Sequence, residues 1–251
     1  MSQSESDLQR AAKYGEPSYV WRAGQERRWR MICDAVGERM AGYVLDNGCG
    51  VGAYLKPISD LTPNVIGLEF DRIRALAASE ISPEIIQGAG ENLPLPSSQF
   101  DVVISMEVLE HVENDRKALE EIVRVLKKTE GSGGGRLVLF VPNRCYPFET
   151  HGVFWRGKYY FGNIPLVNYL PRRWRDKLAP HVRVYGSNDI NRLLDGLPLI
   201  IVEHTIIFGA YDNIIARWPR FGRVMRGILQ GLEHTPYRLF GLSHFLVLER
   251  E

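Results

Sequence analysis

The stretch Val44-Leu45-Asp46-Asn47-Gly48-Cys49-Gly50-Val51-Gly52 restricts the fold more than any other. A short apolar run ends in an acid, and glycines follow at alternate positions. That order predicts a buried strand, a tight turn and the start of a helix. Glycine lets a backbone turn sharply and lets a ligand approach it closely. A helix beginning there would aim its free N–H groups at that ligand. The unit then repeats. Strands are predicted at 43–46, 65–69, 85–88, 100–105 and 136–141. One helix should follow the glycines up to a turn at 60–63, and Asp71 should cap a second that runs to Ser79. Asn114 or Asp115 should open a third, with Leu119, Ile122, Val123 and Leu126 on one face. Strand–helix alternation with short loops predicts an α/β fold around a doubly wound, mostly parallel sheet. Ligands of such sheets lie beyond the carboxyl ends of the strands. The glycine loop, Glu69, residues 88–91 and residues 105–111 all fall there.

Composition narrows the class. The chain has 251 residues, 45% of them hydrophobic, which is enough for a real core. The net charge of +1 selects no polyanionic partner, and no nucleic-acid-binding module is visible. Three scattered cysteines, Cys33, Cys49 and Cys145, form neither a metal-ligand pattern nor a disulfide framework, so a reducing cytoplasmic setting is expected and no metal is assigned. The polar start predicts no secretory leader, and no run approaches the roughly 20 apolar residues of a membrane span.

Residues 1–42 read as an N-terminal helical segment, with Trp29, Ile32, Val36 and Met40 on a packed face. Arg27, Arg28 and Arg30 are then expected on a solvated face. A sharper alternative makes Tyr14, Tyr19 and Arg22 a lid. Residues 43–143 form the nucleotide-type core. Residues 144–186 read as a basic aromatic cap, and residues 187–251 complete the sheet. That last part includes a helix after Ser187, two late strands at 199–208 and 243–249, and an amphipathic helical stretch at 212–233 broken near Pro219. Ile214, Ile215, Trp218, Phe221, Met225 and Ile228 give that stretch an apolar side, with Arg217, Arg220, Arg223 and Arg226 between them. Two readings stay open for it: an arginine-rich outer face over a packed core, or peripheral contact with an anionic membrane at its inner face. The glycine-rich run 131–135 precedes a strand and lacks the following Lys-Ser/Thr of a phosphate loop, so it reads as a connector.

Four segments in order, VLDNGCGVGAY, VIGLEFD, GAGENLPLPSSQFDVVISMEVLEHV and ALEEIVRVLK with GGRLVLFVPN, resemble the class I S-adenosylmethionine-dependent methyltransferases, of the methyltransferase type 11 kind. The resemblance implies a seven-stranded sheet with an antiparallel last strand and S-adenosyl-L-methionine as cofactor. It places Gly48, Gly50 and Gly52 against the methionine part, with Asp46 orienting the loop and the ammonium. Glu69 would take the ribose diol and Phe70 the adenine face. Ala89, Gly90, Glu91, Ser105 and Met106 would complete the cofactor site. The family often has an acid where this chain has Ala89, so the adenine contact must come from backbone, water or Glu91. His111, His151 and Glu149 are the candidate catalytic residues near the methyl, a bland structural role standing beside each. The expected activity is in-line methyl transfer to a small-molecule, lipid-like or glycan-precursor acceptor, anionic if the basic cap meets it. Two alternatives remain. One is a catalytically degenerate binding partner. The other is a nicotinamide enzyme resting on Gly48-x-Gly50-x-x-Ala53 alone.

Overall fold

The computed structural model describes residues 21–82, 84–129 and 133–251. Tyr14, Tyr19 and part of the 131–135 connector lie outside them. In chain order the first half comprises α1 (Ala23–Val36), β1 (Val44–Asn47), α2 (Leu55–Ser59), β2 (Val65–Glu69), α3 (Arg72–Ser79), β3 (Ile85–Gln87), β4 (Val102–Met106), α4 (Asp115–Val125) and β5 (Arg136–Pro142). Next come the short strands β6 (Phe148–Glu149), β7 (Val153–Trp155), β8 (Lys158–Tyr160) and β9 (Ile164–Pro165), then α5 (Arg172–Leu178) and α6 (Ser187–Leu194). The chain closes with β10 (Leu199–Ile207), α7 (Asp212–Arg217), α8 (Pro219–Gly231) and β11 (Ser243–Arg250).

Seven strands form one sheet in the order β10-β11-β5-β4-β1-β2-β3. β11 runs antiparallel to both β5 and β10, and the other pairings are parallel. The expected α/β sheet with an antiparallel pair at one edge is therefore present. The order reverses at β1 and β4, which opens a crevice beyond their carboxyl ends. Two hydrophobic layers flank the sheet. On one face Leu119 and Ile122 of α4 and Ile190 of α6 are buried against Leu45, Val103 and Leu139. On the other, Ile32 and Val36 of α1 and Ile58 of α2 meet Val44, Ile104 and Phe140. Each such fully buried branched side chain contributes roughly 1.5–3 kcal/mol.

Local chemistry sets several boundaries. The Asp71 carboxylate accepts from the Ile73 and Arg74 amides and starts α3, and Asn114 accepts from Lys117 and starts α4. Other edges differ from expectation. The first and fourth strands each end one residue later, at Asn47 and Met106, and β4 begins at Val102 because Phe100 makes a separate bridge to Leu126. The helix after the glycines is only α2, starting at Leu55; turns occupy residues 51–54.

Residues 144–184 leave the end of β5 and return where Asn143 bridges Tyr185. They contain two small antiparallel pairs, β6 with β9 and β7 with β8, plus α5. Much of their positive charge is used internally. Arg175 pairs with Glu149, Arg172 with Asp189, Arg183 donates to the Val112 and Glu113 carbonyls, and Arg144 donates to the Leu170 carbonyl.

Candidate active site

A cleft of about 970 Å³ opens at the reversal point. The glycine loop, Glu69, Phe70 and residues 88–91 wall one end, and Met106, Glu107, His111, Thr150, His151, Tyr159 and Phe161 wall the other. Most residues expected from the sequence are thus brought together. Three are not cleft walls. Ser105 is fully buried and its Oγ accepts from Asn47 Nδ2 at 3.4 Å. Gly52 has φ +86°, and a Cβ there would lie 3.3 Å from the Ala78 Cα of α3. Its bareness serves loop packing. Glu149 is buried behind His151 and acts on the cleft only through it. Arg22 of the expected lid donates to Asn213 Oδ1 at 3.1 Å and is not a cleft wall either.

The loop's amides are not aimed at a ligand as expected. The Gly48 and Cys49 N–H groups both donate to the Leu68 carbonyl, and the Gly50 N–H donates to Glu69 Oε2 at 2.9 Å. Glycine is required for space instead. Gly48 has φ +80°, and a Cβ on it would meet Val108 Cγ2 at 2.3 Å. The loop supplies a bare floor, and the charges come from side chains.

Two acids stand in that floor. Glu69 Oε1 accepts from the Asp71 N–H at 2.9 Å. Each of its oxygens therefore carries one backbone bond and keeps a further acceptor site. Asp46 is buried, and no hydrogen-bond donor among the described residues reaches its carboxylate. Burial, then the charge of Glu69, pushes its pKa up to about 7. A cation brought to that floor would relieve the burial cost. Beside it, Asn47 Oδ1 is also buried without a partner. Phe70 is half exposed at the far end, next to Gly88 and Ala89. Glu91 Oε1 accepts from the Glu113 N–H at 2.7 Å, so one of its oxygens is already engaged.

The opposite end is built from side chains distant in sequence. Arg28 of α1 is not on a solvated face as expected. Its Nη2 donates to Glu107 Oε1 at 2.8 Å, and its guanidinium lies 5.0 Å over the Phe140 ring. Arg27 pairs with Glu233, leaving only Arg30 well exposed. Burial works against the Glu107 charge, but Arg28 holds that carboxyl below the usual range. Glu110 is pushed well above it by burial and by the charge of Glu107. Burial, then His151, holds the His111 imidazole down at about 3, so it is neutral. Its Nδ1 contacts the His181 carbonyl at 3.3 Å. His151 Nδ1 contacts Glu149 Oε1 at 3.2 Å, and Arg175 Nη2 donates to Glu149 Oε2 at 2.6 Å. Burial opposes the Glu149 charge, but His151 and Arg175 hold its pKa at about 2. With both Nδ1 atoms donating, the two imidazoles present Nε2 lone pairs. Sequence reading assigned no site role to Arg28, Asn47 or Tyr54, all cleft walls, nor to Arg175, and it placed Glu107 and Glu110 at the strand ends without naming a chemical role for either. The EVLEH run after strand four was the signal available for Glu107 and Glu110; nothing local marks Arg28 or Arg175.

A family profile described as a methyltransferase domain matches residues 45–139. A demethylmenaquinone methyltransferase of Paenarthrobacter aurescens is 35% identical over 132 residues, 51% of this chain and 50% of that protein. A ubiquinone biosynthesis O-methyltransferase of a Chelativorans species is 26% identical over 184 residues, 70% of this chain and 65% of that protein. The chain thus spans about half the length of curated relatives it matches. The crystal structure of an S-adenosylmethionine-dependent methyltransferase from Mesorhizobium loti superposes with a TM-score of 0.61, covering 89% of this chain and 97% of that one at 19% identity. That likeness establishes the fold. Residues 45–139 thus match a methyltransferase domain, and β10 and β11 complete around them a seven-stranded sheet of the fold seen in S-adenosylmethionine-dependent methyltransferases.

Proposed function

We propose that this chain transfers a methyl group from S-adenosylmethionine to a hydroxyl of a small aromatic, quinone-type acceptor. The observation that carries the reading is the unpaired, buried Asp46 carboxylate beside Glu69 on a floor that admits no side chain at Gly48. That donor set fits the cofactor. Asp46 suits its ammonium, the remaining acceptor capacity of Glu69 suits a ribose diol, and the Phe70 ring suits adenine. The cofactor, when bound, supplies a methyl group on a good leaving group. The chain's own work is to position the acceptor and exclude water. Tyr54, Tyr159 and Phe161 give the cleft aromatic walls for a planar ring. His151, with Nδ1 fixed by Glu149, offers Nε2 to an acceptor hydroxyl and can take its proton.

The acceptor's class is supported by two further points. The two relatives above are named for quinone substrates or pathways. Phe221, Val224 and Ile228 of α8 are 61%, 63% and 61% exposed, with Arg217, Arg220 and Arg223 exposed around them. An exposed apolar row edged with arginines suits an anionic membrane surface. α8 lies in the excursion that ends at Leu242 and Ser243, both walls of the cleft, so such contact would bring the cleft close to membrane-held acceptors. No described helix is long and apolar enough to cross a membrane.

The test is a labelled-methyl assay with purified protein and a bacterial lipid extract as acceptor pool. The reading predicts label in an apolar-solvent-extractable aromatic compound, lost in Asp46→Asn. Label appearing only in water-soluble or macromolecular fractions would contradict the acceptor class. No transfer to any fraction would favour the degenerate binding partner.

A further inference from the structure

The cluster at the acceptor end has a property that methyl transfer alone does not require. One ligand atom each from Glu110, His111 and His151 lies within 4.8 Å of the others. Among the described residues no other group of three His, Cys, Asp or Glu side chains comes so close. Glu110 is 1% exposed, and no N–H or hydroxyl donor of any other described residue meets either of its carboxylate oxygens; its one polar neighbour within hydrogen-bonding reach is the Glu107 carboxyl. Two adjoining buried carboxyls without a donor between them are costly unless a shared proton or a cation meets them. The Glu107 carboxyl adjoins it and adds negative charge, while Arg28 and Ser243 both engage Glu107 through Oε1.

The imidazoles carry the second, independent mark. His111 donates Nδ1–H to the His181 carbonyl, and His151 donates Nδ1–H to Glu149. Histidines that bind metals through one nitrogen characteristically donate the other N–H to a carbonyl or carboxylate, which fixes the ring and raises its basicity. Both rings have that support here. Glu149 is itself clamped by Arg175, and the His151 carbonyl accepts from His181 Nε2 at 3.1 Å and from the Tyr159 hydroxyl. The residues that hold His151 in place are thus more elaborate than a loop histidine needs.

We propose that Glu110, His111 and His151 form a binding site for a divalent first-row transition-metal ion. Two imidazoles and one carboxylate suit manganese, iron, cobalt or zinc better than magnesium or calcium. His111 and His151 are walls of the cleft, so the ion's remaining positions face the acceptor end. They would take oxygen ligands, and an acceptor with two adjacent oxygens on a ring would fill two of them; with the ion bound, His151 Nε2 would be its ligand and the ion, not the imidazole, would ease loss of the hydroxyl proton. That substrate part rests on the methyltransferase reading; ion binding itself does not.

Calorimetric titration of the chelator-stripped protein with manganese, zinc and magnesium chlorides tests the site. Titration with S-adenosylhomocysteine, run in parallel, keeps the two readings separate. The expected result is saturable one-to-one binding of manganese and zinc, tighter than that of magnesium. Glu110→Gln, close to the same shape without the charge, should weaken it at least tenfold. Glu149→Gln should weaken it roughly tenfold through His151 alone. Each variant's cooperative melting confirms that it is folded. A folded wild type that binds S-adenosylhomocysteine but gives no saturable metal isotherm would overturn the metal site and leave the methyltransferase reading intact. Metal binding unchanged in Glu110→Gln, or magnesium bound more tightly than zinc, would also overturn it.

Discussion

The two ends of the cleft are made in different ways. The cofactor end is built by the sheet: its acids sit at the penultimate position of β1 and the last position of β2, and its floor is a loop kept bare by positive-φ glycine. The acceptor end is built by side chains from α1, the loop after β4 and the segment beyond β5, joined by ion pairs across long separations. The first design leaves an unmet charge for a ligand, as at Asp46. The second cancels most charges internally, with Arg28 on Glu107 and Arg175 on Glu149, and leaves lone pairs. One end is shaped to take a cation-bearing molecule of fixed form. The other can change substrate by exchanging a few side chains without disturbing the sheet.

Breaking a clamp at the acceptor end should have the largest effect on stability. Arg175 and Glu149 are each 1% exposed, and Arg175 also donates to the Val182 carbonyl. Arg175→Met would strand the Glu149 charge and should destabilise the fold by about 3–5 kcal/mol in denaturant titration. Adding Glu149→Gln should restore part of that loss. A single variant as stable as wild type would mean that the clamp is not formed.

At the cofactor end the comparison predicts the opposite sign. Burial, then the charge of Glu69, pushes the Asp46 pKa up to about 7 in the fold, from the ordinary 3.8. The folded state therefore holds its proton more tightly than the unfolded chain does. This group's contribution is fully present below about pH 4 and is lost as pH rises through about 7. Asp46→Asn should remove that loss. Its stability advantage over wild type in denaturant titration should be small at pH 4 and reach a plateau above pH 7, on the order of 2–4 kcal/mol. The same variant should lose cofactor binding. A pH-independent difference would show that Asp46 is not charged and unpaired in the empty cleft.

The smallest effect is expected outside the cleft. Phe221→Glu on the exposed face of α8 should leave melting within about 0.5 kcal/mol of wild type, as for surface changes generally. It should lower sedimentation with anionic phospholipid vesicles. Equal sedimentation of both proteins would remove α8 as the membrane-facing element.

Legibility in the sequence follows the same division. The sheet, the Asp71 and Asn114 caps, Glu69 and the glycine loop were readable because their causes are local: apolar periodicity, a capping side chain, an acid at a strand end. The short α2 was not, since turns replace a first helical turn whose amides were expected to face the ligand. Arg28 looked like one of several arginines on a helix face, and its partner Glu107 lies 79 residues away. Glu149 was a catalytic candidate because, with His151, it lies close behind the end of strand five. The buried Arg175, 26 residues later, engages one of its oxygens and His151 the other. Pairing at that range is decided by packing, which a single sequence does not display.

The central claim is that the floor around Asp46 and Glu69 binds S-adenosylmethionine. Calorimetric titration of wild type and Glu69→Ala with S-adenosylhomocysteine, with NADH as the control, tests it most directly. The account predicts saturable binding to wild type, at least tenfold weaker in the variant, a difference of about 1.4 kcal/mol or more, and no binding of NADH. A folded wild type that binds no S-adenosylhomocysteine, or that binds NADH in its place, would contradict it.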